Sequence, residues 1–379
     1  MNRRISLPPN AGEDTGHNGE EALSETIEIL VTLCHRYGSS KFVGGGGGNV
    51  SWKNKHTLWI KASGTYLVKT DATTLVAVRR DPLWELYRSA VPQDIGEREA
   101  WAQEIVRQAV EDFSSSGRPS VETPLHDLFD AAYVVHTHPP LVNGLTCARN
   151  AESACRDLFP QALWVPYVDP GVTLCLQVMR QFEDYVKTHG CEPSVVIMQN
   201  HGLVVAADEL AEIDQIHGYI FDALEIAYNN AGLDTECPEF ETEETDALPL
   251  AERLGEAGQC GVTLKCTGID PSPGPLTPDH IVYSGVEPFN PVNGNTLDDY
   301  RDRFGSDPRV LIHERTVYVR AATRSQANVA CVLAADGAHV LRLTEAFGGA
   351  NFMSDEQWRF VVNWEAESYR QSVAGHYQE

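Results

Sequence analysis

The chain has 379 residues, of which 42% are hydrophobic, and a formal net charge of −25 at pH 7. This length suits one large domain with a smaller appendage, since domains usually contain roughly 100–200 residues. An acidic surface repels the phosphates of nucleic acids and of anionic lipids, so we expect neither as a partner.

The cellular compartment is predicted from apolar runs and cysteine usage. No apolar run approaches the roughly 20 residues of a membrane span, and the opening MNRRISLPPNAGEDTGHNGEE has two arginines without an apolar stretch behind them. The nine cysteines form no C-x-x-C pair, which favours free thiols in a reducing environment. We therefore predict a cytoplasmic protein whose residues 1–20 form a disordered tail.

Hydrophobic periodicity predicts an α/β domain over residues 21–231. Apolar residues recur three or four positions apart in three predicted helices, at about 21–37, 97–113 and 209–229. Runs rich in β-branched or aromatic residues predict strands at 57–61, 133–136, 195–198 and 203–206. Strands and helices alternate along this half of the chain, which is typical of an α/β domain.

The composition changes after residue 231. Residues 232–280 are first acidic and then rich in proline, which predicts a linker region. Residues 281–379 predict a smaller C-terminal α/β extension, with a strand or hairpin at 309–320 and a helix at 325–334. The Ser354 to Gln357 pattern S-x-x-Q is a capping box that opens a last helix.

The stretch GGGGGNVS contains five consecutive glycines, followed by Asn49 and Ser51. It is not a dinucleotide fingerprint, because Asn49 stands where the third glycine belongs, and it lacks the Gly-Lys-Ser/Thr of a P-loop. Two interpretations stay open from these residues alone. One is an anion-binding nest of backbone N–H groups with Asn49 and Ser51 as side-chain donors, and the other is a flexible linker.

Three histidines predict a metal site. In VVHTHPP the side chains of His136 and His138 project to the same side of a strand, where they either share a metal or form a core pair. His201 lies in an Asn-His-Gly turn between two apolar strands, which holds its side chain at a sheet end. Three neutral imidazoles with one open position form the ligand set of catalytic zinc. We interpret the other histidines as structural or surface residues.

Glu122, in PSVETPLH, precedes His136 by fourteen residues and lies at a predicted helix start. A helix and a turn between them would allow the carboxylate to reach the metal and act as a general acid/base. The alternative is that Glu122 serves only as a negative charge at a helix N-terminus, where it offsets the helix macrodipole. Taken alone, these residues favour this alternative.

The motifs GGGGGNVSWK, KASG, SVETPLH, HTHP and QNHGL together resemble the class II aldolase/adducin family over roughly residues 22–230. The resemblance implies a three-layer α/β fold, in which helices cover both faces of a mainly antiparallel or mixed sheet. It implies that His136, His138 and His201 hold a divalent metal, most often zinc, and that Glu122 is catalytic.

The resemblance also implies a substrate-binding wall around the glycine run. Its phosphate-binding residues would be Gly48, Asn49, Ser51, Ser63, Gly64 and Ser120. Val121 stands where phosphate-binding aldolases tend to place a second serine, and Lys61 is a nearby cation that could compensate. On this interpretation the backbone N–H groups of the glycine run bind the anionic end of a sugar phosphate.

Further segments, among them LWVPYVDPGVTL and LTPDHIVYSGVEPFN, resemble the aldolase half of bacterial rhamnulose-phosphate aldolase/short-chain dehydrogenase fusion proteins. The implied reaction is cleavage of a rhamnulose- or fuculose-phosphate-like ketose 1-phosphate to dihydroxyacetone phosphate and an aldehyde. Alternatives are a pentulose-phosphate 4-epimerase, a decarboxylase or dehydratase, and a non-catalytic adducin-like scaffold. The three histidines and Glu122 argue against the scaffold. The resemblance further implies a homo-oligomer, commonly a tetramer, that acts on a small sugar phosphate.

Overall fold

The computed structural model describes residues 17–111, 117–245, 261–291, 296–314 and 316–364. Two compact units divide the chain: the first takes residues 1–139 and 155–222, and the second takes residues 140–154 and 223–379. Residues 1–16 of the predicted tail lie outside the described residues. Helix α1 begins at His17, within the last part of that predicted tail. No helix in the described ranges is long and apolar enough to cross a membrane.

One mixed sheet of seven strands organises the first unit, in the order β3-β2-β1-β4-β7-β6-β5. Neighbouring strands are antiparallel except β5 and β6, which run parallel. The strands are β1 (Asn49–Lys53), β2 (Thr57–Lys61), β3 (Leu75–Arg79), β4 (Tyr133–Thr137), β5 (Leu163–Val165), β6 (Val195–Met198) and β7 (Gly202–Ala207). The predicted α/β class with a mainly antiparallel sheet is confirmed.

Helices cover both faces of this sheet. Directly opposed Ser51 and Ile60 share one face, on which apolar side chains of α2, α3 and α7 pack. Lys61 lies on the opposite face, close to Cys34 of α1. Among the described residues up to 230, the α-helices are α1 (His17–Tyr37), α2 (Arg80–Arg88), α3 (Ile95–Ala109), α4 (Thr123–Asp127), α5 (Pro140–Thr146), α6 (Ala151–Leu158), α7 (Val172–His189) and α8 (Leu210–Asn230). All of α5 and parts of α6 and α8 belong to the second unit.

The second unit has its own antiparallel sheet, in the order β10-β11-β9-β8. Its strands are β8 (Glu241–Glu244), β9 (Val262–Thr267), β10 (Val310–His313) and β11 (Thr316–Ala321). Beyond residue 230, the described residues form the α-helices α9 (Pro278–Ser284), α10 (Leu297–Phe304), α11 (Arg324–Leu343) and α12 (Asp355–Asn363). A core of buried apolar residues joins β9, β10 and β11 to α11.

The structure differs from the sequence prediction in the second unit. The segment 232–280, predicted as a linker, contributes strands β8 and β9, and β9 pairs with β8 on one side and β11 on the other. Helix α11 continues to Leu343, well beyond the predicted end at residue 334. The capping box of Ser354 and Gln357 is confirmed at the start of α12.

A buried ion pair fastens the short helix α4 to the sheet. Arg80 Nε lies 2.5 Å from Asp127 Oδ1, and these side chains are only 6% and 1% exposed. Arg80 also donates to the Asn54 carbonyl oxygen at 2.9 Å, so the guanidinium bridges the β1–β2 turn and α4. Because both charges are removed from water, loss of either partner leaves an uncompensated buried charge.

We expect Arg80→Met to lower the free energy of unfolding of the first unit by about 3–5 kcal/mol, since Asp127 would stay buried without its cation. Urea denaturation followed by circular dichroism measures this effect. Arg107→Met is the matched control, because Arg107 pairs with Glu104 on the exposed surface of α3. Equal unfolding curves for the two variants would contradict a structural role for the buried pair.

Candidate metal centre

Three adjacent strands converge at the candidate site. Asn49 at the start of β1 lies directly opposite His136 of β4, and His136 lies opposite Val204 of β7. Opposed residues of antiparallel strands point to the same face, so the side chains of Asn49 and His136 share one face of the sheet. The register of β1 with β4 therefore brings the end of the glycine run to the histidine pair.

The three predicted ligands form a compact triangle. One ligand nitrogen from each of His136, His138 and His201 lies within 4.8 Å of the others. Their ring centroids are separated by 4.7, 5.1 and 5.1 Å. His136 and His138 lie two positions apart along one extended segment, as expected for side chains of the same face, and His201 approaches from the β6–β7 turn.

The hydrogen bonds of His136 indicate which nitrogen faces the centre. Its Nδ1 donates to the Leu203 carbonyl oxygen at 3.0 Å, which leaves Nε2 as the acceptor in the neutral imidazole. His136 Nε2 lies 3.0 Å from His138 Nε2. Such orientation by a backbone carbonyl is the usual arrangement of a metal-ligating histidine. The residues present therefore fit a divalent metal.

Local backbone geometry fixes the turn that carries His201. Asn200 has a positive φ of 52°, a conformation that asparagine tolerates better than most residues. The His201 N–H donates to the Met198 carbonyl oxygen at 3.3 Å. Gly202 follows, and a Cβ atom there would lie 2.8 Å from His138 Cδ2 and press on the Thr137 carbonyl oxygen. Only glycine allows β7 to approach β4 this closely at the site.

Glu122 reaches the same centre from the N-terminal end of α4. Its Oε1 lies 3.2 Å from His136 Nε2 and 3.6 Å from His201 Nε2. Its backbone, at φ −89° and ψ 3°, lies in the sparsely populated bridge region where many active-site residues are found. The side chain makes no helix-capping hydrogen bond, so the carboxylate is directed to the histidines.

The pKa shifts follow from burial and from these contacts. Desolvation lowers the pKa of His201 to about 4, although Glu122 opposes the shift, so the imidazole is neutral at pH 7. Burial by itself would raise the pKa of Glu122. The contacts of its carboxylate with His136 and His201 outweigh burial and hold the pKa of Glu122 well below the usual range. A neutral ligand and an ionised carboxylate are the states in which a cation is bound.

Asn49 and Ser120 support Glu122. Asn49 Nδ2 donates to Ser120 Oγ at 2.6 Å and to Glu122 Oε2 at 3.3 Å. Ser120 Oγ accepts in addition from the Glu122 N–H at 3.2 Å. All three side chains are buried.

Ser51 makes a different contact. Its Oγ is fully buried and bonds to His126 Nδ1 at 2.7 Å, while Lys53 Nζ donates to the His126 carbonyl oxygen at 2.9 Å. Burial lowers the pKa of His126 to about 3, so this imidazole is neutral. The sequence interpretation grouped His126 with structural or surface histidines and missed its contact with Ser51. Its position four residues after Glu122, one helical turn along α4, is the available signal.

The glycine-containing loops surround this network. Gly48 has φ +70°, and a Cβ there would lie 3.0 Å from the His136 carbonyl oxygen. Gly64 also has a positive φ, of 81°, and the Ser63 N–H donates to the Arg118 carbonyl oxygen at 2.8 Å, two residues before Ser120. Lys61 Nζ is buried and donates to the Thr65 carbonyl oxygen at 2.7 Å. It thus closes the 62–65 turn from the face opposite Asn49.

The sequence matches a family profile described as "Class II Aldolase and Adducin N-terminal domain" over residues 28–228, more than half of the chain. A curated relative, "Uncharacterized oxidoreductase YuxG" of Bacillus subtilis (strain 168), is 28% identical over 193 residues. The match covers 48% of this chain and 26% of the relative. The chain thus spans about a quarter of the length of that relative.

Solved structures also overlap the chain. The N-terminal class II aldolase domain of a conserved protein from Thermoplasma acidophilum is 22% identical with a TM-score of 0.45, covering 60% of this chain and 98% of that one. A sugar-phosphate aldolase from Thermotoga maritima is 17% identical with a TM-score of 0.40, covering 56% and 98%. An L-fuculose 1-phosphate aldolase is 16% identical with a TM-score of 0.38, covering 55% and 87%.

We expect Gly202→Ala to weaken Zn²⁺ binding at least about tenfold, because the added methyl group displaces the His138 ring. Competition with a zinc chelator measures the affinity. Gly218→Ala is the matched control, since nothing lies within 4 Å of a Cβ placed at that position of α8. Equal affinity in both variants would show that His138 is not a ligand.

Proposed function

The chain belongs to the class II aldolase and adducin family, and we propose that it is a metal-dependent lyase. The proposed reaction is reversible cleavage of a ketose 1-phosphate, of the rhamnulose- or fuculose-phosphate type, into dihydroxyacetone phosphate and an aldehyde. His136, His138 and His201 would hold the metal, most often Zn²⁺ with such ligands. Glu122 would be the catalytic acid/base.

The convergence of three imidazoles with one ionised carboxylate supports this proposal most strongly. Glu122 Oε1 lies 3.2 Å from His136 Nε2, so a proton carrier is adjacent to the ligand nitrogens. A scaffold has no need to bury a carboxylate against His136 and His201, because each desolvated polar group costs free energy unless it is paired. The arrangement therefore favours an enzyme over an adducin-like scaffold.

A divalent metal held by the three histidines would supply a Lewis acid that polarises the ketone and stabilises the negative charge that develops on its oxygen. No lysine is needed to form a Schiff base. The tetrahedral preference of zinc would leave room for substrate beside three protein ligands.

Glu122 would move the proton. In the direction of condensation, its carboxylate accepts a proton from the carbon next to the ketone of dihydroxyacetone phosphate. The electron pair left on that carbon forms the bond to the aldehyde carbon, and the aldehyde oxygen takes a proton from solvent. Cleavage is the reverse, in which protonated Glu122 returns its proton to the same carbon. General acid/base catalysis of this type contributes about 10²–10⁴ in rate.

The glycine-containing loops are the proposed contact for the anionic end of the substrate. Gly48 and Gly64 have positive φ values, which aim backbone N–H groups in directions that other residues rarely allow. The hydroxyl groups of Ser63 and Ser120 would add side-chain donors. Ser51 is bonded to His126, and we propose for it a supporting role beneath α4 in place of direct substrate contact.

We expect His201→Ala to lose the metal while the fold is retained, because two imidazoles cannot complete the site. After zinc loading and dialysis, elemental analysis should find about one metal per wild-type chain and almost none in the variant. His189→Ala is the control, since this exposed histidine stacks on Tyr185 away from the three ligands. Full metal content in His201→Ala would remove His201 from the ligand set.

We expect Glu122→Gln to keep the metal and to reduce kcat for release of dihydroxyacetone phosphate by about 10²–10⁴, because an amide cannot accept the proton. The assay tests rhamnulose, fuculose and pentulose phosphates with wild-type protein and variant. Glu104→Gln, on the exposed surface of α3, serves as the control. Wild-type turnover that persists in Glu122→Gln would assign the proton transfer to another residue. No cleavage of any ketose phosphate by metal-loaded wild type would refute the proposed function.

A further inference from the structure

The second unit contains a cavity that no part of the proposed reaction uses. Its lining residues all lie between positions 271 and 337, so the cavity belongs to this unit alone. The empty volume is about 340 Å³ up to the open mouth, at the lower end of the roughly 300–1,000 Å³ of small-molecule pockets. The walls are mainly proline, glycine and aliphatic residues, and the polar side chains among them are those of Ser272, His280 and Ser284. An apolar wall with a few fixed polar groups is typical of a ligand site.

His280 is held in one orientation at the wall of this cavity. Its Nε2 donates to Asp336 Oδ2 of α11 at 2.8 Å, since a carboxylate only accepts. In the neutral imidazole, Nδ1 then accepts from the hydroxyl of Thr277, the N-cap residue of α9, at 3.0 Å. Both polar edges of the ring are thus occupied within the protein. A molecule in the cavity therefore meets the face of the ring.

Gly337 of α11, which also lines the cavity, leaves the face of this imidazole uncovered. A Cβ atom at position 337 would lie 3.5 Å from both Cδ2 and Nε2 of His280 and 3.8 Å from its Cε1. Three nearly equal distances place that Cβ over the plane of the ring, at an ordinary van der Waals separation. An alanine at this position would therefore cover the face of His280 without displacing the ring.

The backbone of α11 does not require a glycine at position 337. At the other glycines of the cavity the requirement is plain, because Gly285 has a positive φ of 91° and a Cβ at Gly274 would lie 3.1 Å from the Phe352 ring. Gly337 has neither constraint and lies in the interior of a helix, where glycine is one of the least favourable residues. The helix is therefore less stable than it would be with alanine, and in exchange the face of His280 stays open to the cavity.

The two serine hydroxyls restrict the chemistry of a ligand. Ser284 Oγ donates to the His280 carbonyl oxygen at 2.7 Å, and Ser272 Oγ donates to the Gly274 carbonyl oxygen at 2.8 Å. A hydroxyl has a single hydrogen, so each serine offers a ligand only the lone pairs of its oxygen. Among the described residues that line the cavity there is no lysine or arginine, so an anion would be buried without a cationic partner. The cavity thus favours a ligand that donates a hydrogen bond.

We propose that this cavity binds a small molecule with a compact apolar body and one hydrogen-bond donor, either an alcohol or a protonated amine. The body packs on the face of His280 and against the aliphatic wall that includes Val310 and Leu333. The donor group binds the oxygen of Ser272 or Ser284. This second site does not depend on the proposed lyase reaction.

Binding is measured by NMR on the full-length protein with ¹³C-labelled valine and leucine methyl groups. The probes are cyclopentanol, cyclopentylamine and cyclopentanecarboxylate, which share one ring and differ in the polar group. We expect the alcohol and the amine to shift the methyl resonances of Val310 and Leu333, and the carboxylate to leave them unchanged. Equal shifts with the carboxylate, or no shift with either donor, would overturn the proposal.

Gly337→Ala distinguishes a binding site from a gap in the packing. We expect this variant to weaken cyclopentanol binding at least about tenfold, because the methyl group takes the place of the ligand over the ring. The Tm should rise by about 2–4 °C, because alanine favours the helix. Gly218→Ala is the matched control, since nothing lies within 4 Å of a Cβ at that position of α8, and it should raise the Tm without changing the affinity. A lower Tm or an unchanged affinity in Gly337→Ala would overturn the proposal.

A double variant, Ser272→Ala with Ser284→Ala, tests the role of the hydrogen-bond donor. It should weaken cyclopentanol binding at least about threefold, because the alcohol loses its acceptor while the apolar wall is kept. Wild-type affinity in the double variant would refute the proposed class of ligand. These measurements need neither a bound metal nor a ketose phosphate, so a failure of the lyase proposal and a failure of this binding site appear in different experiments.

Discussion

The antiparallel pairing of β1, β4 and β7 is the constraint on which the candidate site depends. Asn49 opposes His136, and His136 opposes Val204, so a shift of one residue in either pairing would turn a site residue to the other face of the sheet. Apolar residues on the same face hold the register, because Val134 and Val204 are completely buried against α4 and α7. The hydrophobic pattern of the strands thus fixes the distance between the polar groups.

A buried polar layer supports the same site from beneath α4. Ser51 bonds to His126, Lys53 donates to the His126 carbonyl oxygen, and Arg80 pairs with Asp127. Burial, with the charge of Arg80, lowers the pKa of Lys53 to about 7, which shows how costly its charge is in this position. Such a network adds little net stability compared with apolar packing, but it gives α4 one orientation. Because Glu122 lies at the N-terminal end of α4, the same contacts fix the position of its backbone.

The sequence predicts the three converging histidines better than it predicts the residues that support them. Alternation along a strand is enough to place His136 and His138 on one side of the sheet. The Asn-His-Gly turn identifies His201, because a turn between two strands lies at the end of the sheet. No local pattern states that Glu122 lies 3.2 Å from His136, since that distance depends on the packing of α4 on β1. The hydrogen bonds of Asn49 and Ser51 have the same long-range origin.

Strand pairing also explains the wrong linker prediction. The acidic residues of β8 are all exposed, and an edge strand with both faces exposed to solvent shows no alternation of apolar and polar side chains. Only its pairing with Cys266 and the rest of β9 makes it a strand. Helix α11 was predicted too short for a related reason, because alanine and glycine residues near its middle carry little of the periodic signal.

Electrostatics explains why the geometry of the site suits a cation. His136 Nε2 is an acceptor that lies 3.0 Å from His138 Nε2, and two unprotonated nitrogens at this distance repel each other unless a proton or a metal lies between them. Glu122 is ionised and buried beside them, which is costly without a positive charge nearby. A divalent cation relieves both costs, since it binds the lone pairs and offsets the carboxylate. The protein holds this arrangement on paired strands, so the free energy of folding maintains the three histidines in an arrangement that fits a divalent metal.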